Sequence, residues 1–191
     1  MKFKDAVTRS VALLSSAEFK ERVMEEDASM LKHIAVLRDI NARGYITHDS
    51  QAGRKHSGKS PVDGRHYCNE ERAYILGFML ESVAAEFLKW MGLHTDKNAV
   101  YVPACGGDVS LPVGLDVPLS VDTAGKTPTV YTKMSPVLPV RVWDFYRKEA
   151  HINKSEKIVY IFCWDPLWNR GVSGAKGLFT EVLKGLKTVK G

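Results

Sequence analysis

The run NEERAYILGFMLESVAAEFLKWM, Asn69 to Met91, decides how the rest of the chain is arranged. Asn69 is a residue type that caps helices, accepting a hydrogen bond from a free backbone N–H. After it, Ala73, Tyr74, Ile75, Leu76, Phe78, Met79, Leu80, Val83, Ala84, Phe87, Leu88 and Met91 occupy nearly the whole circumference of a helix. Only Ser82, Glu86 and Lys89 form a polar stripe, so the first half must be enclosed by other elements. The spacing predicts a central helix of about twenty-two residues, about 33 Å long, closed by Gly92.

On the N-terminal side, Ala6, Val7, Val11, Leu13 and Leu14 fall at helical spacing, Ser16 caps a second short helix through Glu25, and residues 1–26 read as peripheral helices. Asp27 caps a clearer helix with Met30, Ile34, Leu37 and Ile40 on one face, ended by Gly44. Tyr45 to Thr47 is a short strand, and the polar, glycine-bearing segment Arg54–His66 is expected to be an exposed, mobile loop.

Downstream, Ala99 to Val102, Thr129 to Lys133 and Lys157 to Trp164 read as strands, with helices at Val140–Ala150 and about Gly177–Lys187. The run KIVYIFCW is apolar at every other residue on both faces, as at the centre of a sheet covered on both sides. Residues 103–128 either serve a function or hide short strands. Alternating strands and helices predict one layered α/β domain over 1–191, with a mostly parallel or mixed sheet flanked by helices. A right-handed crossover would then gather the loops after Thr47 and Val102 and the turn at Asp165 into one crevice at the strand C-terminal edge.

The composition narrows the partners. With 27 Lys and Arg against 22 Asp and Glu, the net charge is +5 and the pI about 9.0, without a basic run or aromatic-interleaved patch for dedicated nucleic-acid binding. Cys68, Cys105 and Cys163 form no C-x-x-C pair, which suits reduced thiols in an intracellular, soluble protein; no stretch is apolar enough to cross a membrane.

Residues 53–60, GRKHSGKS, satisfy the phosphate-loop pattern G-x-x-x-x-G-K-S/T letter for letter. A working phosphate loop follows a buried strand and runs straight into a helix, whereas THDSQA precedes this one and Pro61 follows it. His48, His56, His66 and Cys68 lack the close pairing of zinc ligands, so no metal is expected, and no cofactor is indicated. Cys105-Gly106-Gly107-Asp108 offers a nucleophile among glycines, or a buried inert thiol at a turn. Asn41 can tie its helix end to the following loop or meet a ligand. Arg72, placed in the first turn of the predicted helix, opposes the helix dipole, so either a buried pair with Asp49 or Asp165 or an anionic small molecule should hold it. Asp165 either caps its turn through Asn169 or Gly171 or serves as a carboxylate in the crevice.

Asn41, Gly44, Thr47, Ser50-Gln51, Gly53, Glu71-Arg72-Ala73-Tyr74 and Gly77-Phe78 together resemble an uncharacterised domain family of large DNA viruses and some bacteria. Its pattern runs N-x-x-G-F/Y-x-T-x-x-S-Q-x-G, a variable gap, then Q/E-R-A-x-V/I-x-G-F; Asp165-Pro166-Leu167-Trp168 resembles the D-P-x-W near its end. The resemblance implies a shared site of Thr47, Ser50, Gln51, Arg72 and Asp165, with 54–66 as the gap, and departs at Glu71, where Gln is frequent. The family brings no established activity. Expected ligand-binding residues are Asn41, Thr47, Gln51, Gly53, Arg72 and Trp168, with Ser50 and Asp165 as catalytic candidates. The two functions weighed are a small-ligand or nucleotide-related protein, including a hydrolase or transferase, and a non-enzymatic interaction protein such as a virion component with protein partners.

Overall fold

A computed structural model describes residues 1–59, 64–103, 115–123, 127–134 and 140–189. Its organising element is a strand, β3 (His66–Leu80), followed directly by a helix, α4 (Glu81–His94). The expected twenty-two-residue helix is thus corrected to fifteen residues of strand and a shorter helix. Residues 73–79 are buried on both faces of a sheet, so no two-residue alternation shows, and a continuous apolar run of that kind does not distinguish strand from enclosed helix.

The remaining elements, in chain order, are α1 (Phe3–Ser15), α2 (Ala17–Asp27), a 3-10 turn (Ala28–His33), α3 (Ile34–Ala42), β1 (Ile46–Gln51) and β2 (Lys55–Lys59) ahead of β3. After α4 come β4 (Asn98–Pro103), β5 (Leu115–Asp122), β6 (Thr127–Met134), α5 (Val140–Ala150), β7 (Ile158–Trp168) and α6 (Leu178–Thr188). Among the described residues seven strands run β4-β7-β3-β5-β6, with β1 and β2 both paired to β3. Every pairing is antiparallel. This overturns the mostly parallel or mixed sheet: β1 and β4 are not joined by a crossover, and the crevice that depended on aligned strand ends does not form. The arrangement is of the α+β kind.

Strand β3 is long enough to serve two sets of neighbours. Its C-terminal half lies between β1, with Gln51 opposite Tyr74, and β7, with Leu80 opposite Ile158. Its N-terminal half lies between β2, with Lys55 opposite Glu70, and β5, with Glu71 opposite Ser120. The expected exposed loop at 54–66 therefore contains a strand, and Lys55–Lys59 of the phosphate-loop match is extended backbone rather than a loop entering a helix.

The alternation hidden in the sequence reappears in the packing. Ala73, Ile75 and Met79 face one core with Ile161 and Cys163 of β7, covered by Leu37 and Ile40 of α3, Phe87 and Met91 of α4 and Phe179 and Val182 of α6. Tyr74, Leu76 and Phe78 face the other with Tyr160, Phe162 and Trp164, covered by Phe3 and Ala6 of α1 and Trp143 of α5. Each fully buried large side chain contributes about 1.5–3 kcal/mol of transfer free energy, and dividing them between two faces makes the sheet a middle layer. Gly77 fixes the approach of β1, because a Cβ there would lie 2.1 Å from the Ile46 carbonyl oxygen. The register slips between Thr47 and Asp49, making His48 the extra residue of a bulge.

Candidate functional site

Helix α1 crosses the edge of the sheet beside β1, with Ala6 in one core and Leu14 in the other. Between it, α2 and β1 runs a groove of about 450 Å³. Leu14, Phe19, Val23, Met30 and Leu37 line it from the helices, together with the charged Arg22, Glu26 and Asp27. Thr47, Asp49, Ser50, Gln51, Arg54 and Tyr74 give it a polar wall from the sheet. Next to it is a smaller recess of about 180 Å³ that shares Ser10, Leu13, Thr47 and His48 and is closed by Arg9, Phe78 and Glu149. The hydroxyl of Ser50 and the amide of Gln51 make no hydrogen bond among the described residues, so their polar groups are free for a ligand.

The groups beside them are fixed. Asn41 is wholly buried, and its amide is fully used: Oδ1 accepts from the Ser10 hydroxyl and from Thr47 N–H at 2.9 Å, while Nδ2 donates to the Leu37 carbonyl and to Thr47 Oγ1, both at 2.8 Å. It stitches α1 and α3 to the start of β1, the first of the two roles its sequence position allows. Tyr74 donates its hydroxyl to Asp49 at 3.0 Å, and burial, followed by the Asp49 charge, pushes the phenol well above its ordinary range, so it stays a donor. Arg54 Nε donates to Glu71 at 2.8 Å and Nη1 to Asp27 at 2.8 Å, and the His56 ring lies 2.9 Å from the other Glu71 oxygen. Burial works to lower the pKa of Arg54, but the Glu71 and Asp27 carboxylates outweigh it and raise it. Burial likewise works to raise Asp27, and the Ser29 hydroxyl and Arg54 more than offset it. His48, carried outward by the bulge, lies 2.9 Å from Glu149 of α5 and 3.4 Å from the Tyr160 hydroxyl.

The expected site residues divide into two groups. Thr47, Ser50 and Gln51 line the groove with Asn41 behind them. Gly53 is packed against the sheet, where a Cβ would lie 2.6 Å from the Arg170 carbonyl oxygen and 2.9 Å from the Ala73 nitrogen. Arg72 and Trp168 lie opposite one another at the end of β7. Arg72 is thus a strand residue, corrected from the first turn of a helix, and no helix dipole acts on it. Asp165 lies within β7, wholly buried, accepting from Leu167 N–H and from Nε and Nη2 of Arg170, with Lys97 Nζ at 2.9 Å. Its turn is capped through Leu167 rather than Asn169 or Gly171. Cys105 to Asp108 lie outside the described residues.

No family model matches the chain, and no curated protein does. The chemistry therefore rests on the residues. Among the described residues the Ser50 hydroxyl makes no hydrogen bond to a base. Tyr74, Asp49, Arg54, Asp27 and Lys97 are not among the expected site residues; Asp27 is read as a cap, Asp49 as a partner for Arg72, Tyr74 as part of the family motif and Arg54 as part of the phosphate-loop match, but their actual partnerships arise from antiparallel pairing that no local motif encodes.

Proposed function

We propose that the chain binds a small, nucleotide-related molecule in the groove beside β1, with a flat apolar body against Phe19, Val23 and Met30 and a hydrogen-bonding edge toward Ser50 and Gln51. The observation that carries this reading is that the polar groups of Ser50 and Gln51 have no partner among the described residues and open into a groove that also presents Phe19, Val23 and Met30. A second reading, a non-enzymatic interaction protein such as a virion component, is supported by Leu13 and Met24, 51% and 62% exposed on α1 and α2, and by the motif resemblance to viral proteins.

Thermal melting against a panel of nucleosides, nucleotides and phosphorylated metabolites tests the first reading. A ligand at a hundred times its dissociation constant adds about 2.7 kcal/mol. At about 2–4 °C per kcal/mol for a chain of this size, that is a rise of roughly 5–11 °C. The rise should disappear in Gln51→Ala and shrink in Ser50→Ala while both unliganded variants melt near the parent. A panel without effect, or a shift that survives both substitutions, refutes the reading.

A further inference from the structure

Arg72 is a cation without a counter-ion. Its Cζ lies 4.1 Å from the centroid of the Trp168 ring, yet its buried Nε has no hydrogen-bond partner and no carboxylate lies within ion-pair distance among the described residues. The nearby carboxylates are already taken. Asp165 accepts from Arg170, Lys97 and Leu167 N–H, and Asp96 accepts from Lys97 at 2.8 Å and from Arg170 at 2.6 Å. Both carboxylates are thus engaged by Lys97 and Arg170, and Arg72 shares only the longer-range field of Asp165. Glu71, the neighbour of Arg72, is held by Arg54 and His56.

A second unfilled group adjoins the first. Asn169, whose backbone N–H donates to the Glu71 carbonyl at 3.0 Å, has a buried Oδ1 with no partner. Both lie where the sheet forks: β7 ends opposite Arg72 at Trp168, and β5 takes over the same edge of β3 opposite Glu71 at Ser120. Buried polar atoms without partners are rare, and each one calls for a ligand, an ion or water to complete it.

We propose that Arg72, held against Trp168 beside Asn169 at the fork of the sheet, binds one oxyanion group of a small molecule, a phosphate or a carboxylate. A guanidinium presents several N–H donors in one plane, matched to two oxygens of such a group. A singly protonated phosphate would offer oxygens to Arg72 and its hydroxyl to Asn169 Oδ1, whereas a carboxylate would leave Asn169 to water. Burial lowers the pKa of Arg72 while the Asp165 charge only partly restores it, as expected for a cation awaiting its anion. Trp168 serves as the plate that keeps the guanidinium in place.

The site stands independently of the groove. Full-length protein is melted in a buffer free of phosphate and sulfate, with sodium phosphate, sodium acetate or sodium chloride added at matched ionic strength. Phosphate or acetate should give a saturable rise in Tm beyond that of chloride, and the more effective of the two identifies the oxyanion. Arg72→Gln should abolish the rise and, without anion, melt close to the parent, because Arg72 makes no hydrogen bond or ion pair among the described residues and only its contact with the Trp168 ring is lost. Gln51→Ala should keep the phosphate response, which separates this site from the groove. On the parent protein, the Arg72 Nε–H resonance should move with the same anion, a readout that needs no variant. An equal response to all three salts, a response retained in Arg72→Gln, or an Arg72 Nε–H signal indifferent to both oxyanions would overturn the proposal.

Discussion

Replacing Asn41 by alanine measures how far the β1 edge depends on a single amide. The substitution removes four hydrogen bonds: one from Ser10, two with Thr47 and one to the Leu37 carbonyl. The Ser10 hydroxyl lines the groove and regains water, and Thr47 Oγ1 can rotate, so neither loss is large. The Thr47 N–H is different. It points toward the emptied amide position, and an orphaned buried donor costs about 1–3 kcal/mol, with about 1 kcal/mol more for each lost bond that water does not replace. The expected cost is about 3 kcal/mol, or a fall in Tm of roughly 6–12 °C at this chain length. Urea unfolding followed by circular dichroism should give this difference with an unchanged slope, since the surface exposed on unfolding is nearly the same. Thr47→Val, which keeps the N–H bonded to Asn41 and loses only the hydroxyl, should cost about 1 kcal/mol. An Asn41→Ala cost no larger than that of Thr47→Val would refute the assignment of Asn41 as the stitch between α3 and β1.

Three further outcomes follow from buried geometry. Gly77→Ala sets a methyl group 2.1 Å from the Ile46 carbonyl oxygen, so it should cost about 3 kcal/mol or more by denaturant unfolding; a near-neutral result would mean that β1 does not approach β3 as described. Asp165→Asn strips the wholly buried Lys97 amine of a carboxylate partner, and its expected cost is about 3–5 kcal/mol, whereas an unchanged midpoint would mean that water reaches the pair. His33, buried edge-on against Phe179, has its pKa lowered by burial and then by Lys32. Below the ordinary histidine value of about 6.5, the unfolded chain therefore binds the proton more readily, and stability should fall as pH drops through the lowered folded value. His33→Phe should flatten that slope between pH 7 and 5; an identical slope would remove His33 as its cause.

The elements that could be read in the sequence are those with a local signature. Ser16 caps α2 by accepting from Phe19 N–H, Asp27 caps the next turn by accepting from Ser29 N–H, and Gly44 leaves α3 with φ 86°. The run Lys157 to Trp164 becomes β7, which lies between β4 and β3, where its two apolar faces predict it. What could not be read is β3. Its buried half presents apolar groups to two cores, so the two-residue period vanishes and the run imitates an enclosed helix. Gly77 was the available warning, since glycine within an apolar run often marks close approach of another backbone. A helix in place of β3 would set Arg72 against a helix dipole, and a parallel crossover would bring Asp165 to a shared crevice; the antiparallel strand removes both. At the groove, Thr47, Ser50 and Gln51 were found because they stand together in one strand. The partners that shape it, Tyr74 from β3 and Phe19 and Val23 from α2, come from other elements, and nothing local joins them.

The position of β7 bears on the order in which the molecule can assemble. Among the described residues it is the last strand in chain order, yet it occupies the middle of the sheet, and β4 has no other strand partner. Until Ile158–Trp168 has been synthesised, β3 keeps an apolar edge open and β4 lacks its strand partner among the described residues. Such late, distant pairing slows folding, because long loops must close before the contacts that reward them form. A nascent chain is then an unfinished sheet with a sticky centre, the species most prone to associate with its own copies or to be held by a chaperone. Release from that hazard comes when one late strand slots between two early ones and joins them.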